Sequence, residues 1–269
     1  METDVLVATR DHVATITLNR PDKYNAFDPP FIKAIRAAFE EMLRAADVDA
    51  LVLTGAGKAF CAGGDVTSMR AALEKNPQRL FEDLTEHLHP VIAGIRKAPK
   101  PVVAAINGPT AGGGLGLALA CDLRIAGPTA SFKPAYRTLG IVPDGGLTYF
   151  LPRLVGFGTA QRIILRDETV NADAALRLGL IDEIVPAERL VHAAHAEARR
   201  LADHPPESFR LTKDLLNLSY LADLEPQLER ERRRNAASAK GPWLKEGVAA
   251  FFEKREPQFR KARSPTPRR

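Results

Sequence analysis

Cysteine, methionine and tryptophan are scarce in this chain: two, three and one among 269 residues. Cys61 and Cys121 lack metal-ligand spacing, so no metal site is expected, and they point to a reducing, cytoplasmic setting. Cys61 lies in a glycine-rich loop with no histidine nearby in sequence, and reads as a small space-filler rather than a nucleophile. Aromatic residues make up 6% and do not interleave with the basic ones, so no nucleic-acid partner is expected. No apolar run approaches the ~20 residues of a membrane span. The start, METDVLV, is acidic and moves at once into a strand-like pattern, unlike a signal or transit peptide. No repeat with a period of 20–50 residues is present. Two nucleotide signatures fail on spacing. A dinucleotide fingerprint needs glycine at 117 after Gly112 and Gly114, where Leu117 stands; Gly57-Lys58 lacks the first glycine and the Ser/Thr of a phosphate loop.

What is present is a full core. Hydrophobic residues make up 45%, enough for one large α/β domain with an appendage, or for two domains. The formal charge is +5, part of it in the tail RKARSPTPRR, which reads as disordered. Such a surplus can meet nucleic acid, a membrane or a polyanionic ligand.

The chain is organised around Pro101–Asp122, PVVAAINGPTAGGGLGLALACD. A β-branched run, Val102 to Ile106, breaks at Asn107-Gly108. Gly112, Gly113 and Gly114 then lead into the apolar segment Leu115–Cys121, which predicts a buried strand, a turn and a glycine-rich entry into a buried helix. Unpaired N–H groups at a helix start, with no Cβ in the way, suit negative charge. With the nucleotide signatures absent, an acyl oxyanion fits, and it needs a second N–H donor from elsewhere. Close packing alone would also account for the triplet.

Upstream, Val13–Leu18 alternates as a strand, and the turn NRPDKYNAF follows. Asp28 and Pro29 open a helix whose buried stripe is Ile32, Ile35, Phe39, Met42 and Ala46. Ala50–Thr54 is a buried strand ending in a second glycine-rich loop, TGAGKAFCAGGD. Strand, helix, strand argues for a parallel sheet. Met69–Pro99 reads as one amphipathic helix, with His87 and His89 on its surface. Strands are expected at Leu123–Ala126, from Ser131-Phe132 and at Leu180–Val185. GIVPDGG turns into a helix over Leu147–Leu154, and Ala172–Leu178 is helical. From Pro205-Pro206 the texture becomes helical and charged, so a boundary is drawn near 200: an α/β core over 1–200 and a helical region over 201–269.

Taken together, LNRPDKYNAF, GAGKAFCAGGD, PVVAAINGPTAGGGLGLALACDLRIA, LGIVPDGGLTYFLPRLVG, NADAALRLGLIDEIV and EGVAAFFEKREPQF resemble the crotonase superfamily of enoyl-CoA hydratases and isomerases. The resemblance implies a spiral of ββα units and a C-terminal helical region that builds homotrimers, often paired into hexamers. It implies an acyl-CoA thioester as substrate, no further cofactor and no metal. The thioester oxygen would be held by the N–H groups of Ala62 and Gly113, one such donor contributing about 3–4 kcal/mol. Lys23, Lys58 and Lys254 or Arg255 become candidates for the CoA phosphates, with Ala26, Gly64 and Tyr136 along the substrate site.

The hydratases of this family activate water with two glutamates. The first lies two residues after the glycine triplet, here Gly116; the second lies four residues after the following strand's phenylalanine, here Tyr136. Both carboxylates are absent. Asp144, in VPDGG, remains; turn chemistry or a helix cap would explain it. It also resembles the proton-shuttling aspartate of ring-epoxide acyl-CoA isomerases and some enoyl-CoA isomerases, and the nucleophilic aspartate of 4-chlorobenzoyl-CoA dehalogenase. The latter pairs its aspartate with a histidine, aligned here with Ala93, four residues past His89. The expected reaction is proton transfer beside a thioester with Asp144 as acid/base. Alternatives are a nucleophilic Asp144, an atypical hydratase, and a non-catalytic CoA- or RNA-binding homologue.

Overall fold

The computed structural model describes residues 3–219, 223–238 and 242–259. β1 (Val5–Arg10) and β2 (Val13–Leu18) pair antiparallel. Helix α1 (Pro29–Arg44) starts where Asp28 accepts the Phe31 N–H at 3.0 Å. Its inner face buries Phe31, Ile32, Ile35 and Phe39. The expected stripe ran two residues too far: the helix stops at Arg44, leaving Ala46 exposed beyond it.

β3 (Ala50–Gly55) is followed by α2 (Val66–Leu73) and α3 (Pro77–Lys97), where one helix over 69–99 was expected. The interruption has a local cause: Asn76 accepts the Arg79 N–H at 3.0 Å and Pro77 opens a new first turn. β4 (Val102–Ile106), β5 (Pro109–Ala111) and α4 (Gly112–Ala120) realise the central stretch, and every residue of α4 is buried.

Then come β6 (Leu123–Ala126), β7 (Ser131–Lys133), α5 (Leu147–Val155), α6 (Phe157–Arg166), β8 (Val170–Asn171), α7 (Ala172–Arg177) and β9 (Glu183–Ile184). The strand expected over Leu180–Val185 shortens to β9, with Leu180 and Ile181 buried as core residues instead. The main sheet runs β1-β2-β3-β4-β6-β9 and is parallel from β2 onward; β5, β7 and β8 form a smaller one.

Both faces of the sheet are covered at β3 and β4, which is why these strands read as continuous apolar runs, whereas the edge strand β1 is exposed. Leu51, Leu53, Ala104 and Ile106 face the cluster shared with α1, α3 and α4. Ala50, Val52, Val103 and Ala105 face α8 (Leu190–Ala202). α9 (Pro206–Ser219) is tied to this core: buried Lys213 reaches Asp122 at 2.8 Å, and Asn217 bonds Arg96. α10 (Leu224–Ser238) and α11 (Pro242–Glu253) follow, α11 with Phe251 and Phe252 each 78% exposed. The basic tail, residues 260–269, lies outside the described residues.

Candidate active site

The site begins where parallel strands end. Beyond β3 and β4 the two glycine-rich loops meet: Ala111 N–H donates to the Cys61 carbonyl at 2.9 Å, and Cys61 bridges to Thr110. Asn25, fully buried, clamps the turn after β2 to the first loop. Its Nδ2 donates to the carbonyls of Ala56, Ala59 and Phe60, and its Oδ1 accepts the Arg20 N–H. Sequence reasoning missed this residue, although an asparagine inside an otherwise conventional turn was its only visible trace.

One expected donor is corrected by this geometry. The Ala62 N–H donates to the Tyr24 carbonyl at 3.0 Å, so it is already engaged. Two residues on, Gly64 forms a parallel bridge with Phe27: Phe27 N–H donates to the Gly63 carbonyl and Asp65 N–H to the Phe27 carbonyl. Extended backbone alternates, so the Gly64 N–H points away from that bridge, and Gly64 lines the cleft. It has no acceptor among the described residues. Gly113, second residue of α4, lines the same cleft, in the turn whose N–H groups have no intrahelical acceptor.

The cleft between these amides is largely apolar. Phe27, Val66, Met69, Phe81, Leu84 and Leu88 form one side, Leu139 and Ile141 the other. Among the described residues that line it, the one carboxylate is Asp144. Tyr136 donates its hydroxyl to Asp144 Oδ1 at 2.6 Å, while Oδ2 has no partner among the described residues. Burial first, and the adjacent Asp144 second, push the Tyr136 phenol well above the usual range, so it stays a donor.

The turn bearing Asp144 owes its place to a glycine. A Cβ at position 116 would lie 2.1 Å from the Gly145 carbonyl oxygen, so no side chain fits there while the turn stands as it does. The turn is also bonded to α3, where the Gly145 N–H donates to His89 Nε2 at 3.4 Å. His89 is solvent-exposed, as expected, but it touches this turn; Ala93, the position aligned with the dehalogenase histidine, is exposed one helical turn on and does not line the cleft.

The loop leading to Tyr136 is anchored from behind. Ala135 adopts φ 61°, a left-handed conformation costing a non-glycine residue roughly 1–3 kcal/mol. Its N–H donates to Asp167 Oδ1 at 2.6 Å.

The remaining candidates are placed less directly. Lys23 follows β2, 3.5 Å from Asp65, and Lys58 is exposed in the loop after β3; neither lines the cleft. Ala26 is buried beside Phe27 without reaching the wall. Lys254, exposed just beyond α11, is not brought to the cleft either, and Arg255 pairs with Glu246 at 2.6 Å. Cys61 is a buried space-filler: its Sγ donates to the Asn25 carbonyl at 3.1 Å, and burial pushes its thiol up to about 12. Among the described residues no group of His, Cys, Asp and Glu could hold a metal ion.

Comparison with known proteins gives the family and the fold. The family model described as enoyl-CoA hydratase/isomerase matches residues 8–262. The 1,2-epoxyphenylacetyl-CoA isomerase of Escherichia coli K12 is 35% identical over 92% of this chain and 94% of its own. A 4-chlorobenzoyl coenzyme A dehalogenase-2 from an Arthrobacter species is 33% identical over 93% and 91%. Other relatives are named enoyl-CoA hydratases. A crystal structure of a putative enoyl-CoA hydratase/isomerase from Mycobacterium abscessus superimposes with a TM-score of 0.89 at 35% identity, covering 94% of this chain and 98% of that one.

Proposed function

The chain belongs to the enoyl-CoA hydratase/isomerase family, and from that premise we propose that it moves a proton on an enoyl-CoA thioester, with Asp144 as the acid/base. The observation that carries the reading is that one cleft is lined by two backbone glycines, Gly64 and Gly113, and, among the described residues, by a single carboxylate, Asp144. The N–H groups of Gly64 and Gly113 receive the thioester oxygen. Asp144 Oδ2 takes a proton from the carbon next to, or vinylogous to, the carbonyl. The electron pair left behind is delocalised onto the thioester oxygen as an enolate, which the two amides stabilise. Asp144 then returns the proton to another carbon of the same system, so the double bond shifts and nothing is added.

Hydration would require a second carboxylate to activate water. Position 116 has none, and the Gly145 carbonyl fills the space a side chain would need. Lys23 and Lys58, at the same end of the sheet, are kept in this proposal as partners for the CoA phosphates, and Lys254 is kept only as a weaker candidate.

His89 favours a second reading. Its position beside the Asp144 turn suits a nucleophilic Asp144 whose covalent adduct is hydrolysed with His89 as base. One experiment separates the two. Incubated with crotonyl-CoA in deuterated water, the enzyme should exchange carbon-bound protons while hydrating poorly, and Asp144→Asn should lower exchange about 10²–10⁴-fold with binding retained. Brisk hydration, or full exchange by the Asn variant, would overturn the first reading. An aspartyl adduct trapped in a single turnover with an aryl-CoA would establish the second.

A further inference from the structure

Asp167 stands where general physical chemistry disfavours an aspartate. It caps the C-terminus of α6, the negative end of the helix dipole. Its backbone is left-handed at φ 54°, and its side chain is only 5% exposed, although burying a carboxylate is costly. Three costs at one residue mark a position held for a reason beyond local stability. Its bonds say what that reason is. Oδ1 accepts the N–H of Ala135 at 2.6 Å, and Oδ2 lies 3.5 Å from Lys133 Nζ. Ala135 is itself left-handed, and the next residue is Tyr136, which holds Asp144 Oδ1.

We propose that Asp167, outside the cleft, is a positioning residue: by holding Ala135 in its strained conformation it fixes the Tyr136 hydroxyl on Asp144 Oδ1 and leaves Oδ2 as the oxygen that meets the substrate. The inference rests on the reading of Asp144 as the reacting carboxylate. Lys133, at the end of β7, offsets part of the buried charge and is itself 40% exposed. A neutral acceptor at 167 would therefore serve the same purpose, since the N–H of Ala135 needs an oxygen and not a charge.

The test measures deuterium exchange into crotonyl-CoA and thermal unfolding side by side. Asp167→Ala should lower kcat for exchange about tenfold or more, within the ~10²-fold that misplacing a reacting group can cost, and leave KM within about twofold. Asp167→Asn should restore the rate, because the amide oxygen accepts the same N–H and asparagine tolerates the left-handed backbone. Adding Ala135→Gly to Asp167→Ala should also recover activity, since glycine takes that conformation without strain. Should Asp167→Ala not fold, Asp167→Gly removes the acceptor while taking the left-handed backbone without strain, and the same loss is expected. Undiminished kcat in a folded variant lacking the acceptor would overturn the proposal. So would a loss that neither Asp167→Asn nor Ala135→Gly relieves. Asp144→Asn, run alongside, separates the failures: if it too is active, the reading of Asp144 falls, whereas an inactive Asp144→Asn with a fully active Asp167→Ala removes the positioning role alone.

Discussion

The two walls of the cleft are built on different principles. On one side, Gly64 and Gly113 present backbone amides whose directions are set by strand ends, by the Phe27 bridge and by a helix whose every residue is buried. On the other, Asp144 and Tyr136 are side chains of the connection between β7 and α5, which has one short 3-10 turn at Arg137–Leu139 and left-handed residues at Ala135, Gly140, Gly145 and Gly146. The first wall is fixed by the Phe27–Gly64 bridge and by the burial of α4. The second is held by single contacts, one from Asp167, one from His89 and one from the absence of a side chain at Gly116. A family can therefore keep the amides and change the chemistry by editing the second wall.

The amide wall is broken most severely by Gly113→Pro, which deletes one N–H. Exchange should fall about 10²–10³-fold, the usual cost of one oxyanion donor, with the acyl-CoA still bound. Gly158→Ala is the matched control, because a Cβ there meets nothing within 4 Å. Equal losses in both variants would mean that the loop at Gly113 is only structural. Gly55→Ala would be a poor control, since its Cβ would lie 2.2 Å from the Ala59 carbonyl oxygen.

A smaller effect is expected at Gly116→Glu, which supplies the missing hydratase carboxylate. The new side chain meets the Gly145 backbone, so the turn must shift; exchange should drop roughly 10²-fold and hydration of crotonyl-CoA should not appear. Efficient hydration by this variant would show that the turn adapts and that the second wall is less determined than described.

The least effect is expected at the thiols behind the amide wall. Burial raises Cys61 and Cys121 to about 12. At pH 8 the native protein should therefore resist iodoacetamide, with alkylation appearing only after denaturation. Rapid labelling of Cys61 with loss of exchange activity would mean that the first loop opens, and the contrast between the walls would blur.

Much of this was legible in the sequence. Val102–Ile106, Gly112–Gly114 and Asp28-Pro29 announce strand, helix entry and cap, because each depends on neighbours in sequence. Asp144 stands apart only through the family resemblance, since its own neighbours read as an ordinary turn or helix cap. Ala62, expected as a donor, has its N–H on the Tyr24 carbonyl instead. Which amide in Cys61–Asp65 faces the cleft depends on pairing with Phe27, far away in the chain, and a motif does not record that. His89 on the Gly145 amide and Asp167 on the Ala135 amide were invisible on the same ground. Each is an ordinary residue in its own segment, and its role comes from the turn packed against it.

The buried pair of Lys213 and Asp122 bears on how the chain is made. Asp122 follows the end of α4, half-buried, and also accepts the Val102 N–H, yet its lysine is 91 residues further along. At a synthesis rate of about 5–20 residues per second, the carboxylate waits roughly 5–20 s for that partner, with Arg96 at 3.8 Å as interim company. A carboxylate of the core that carries both glycine-rich loops thus takes its buried lysine from α9, a helix that lines none of the candidate site.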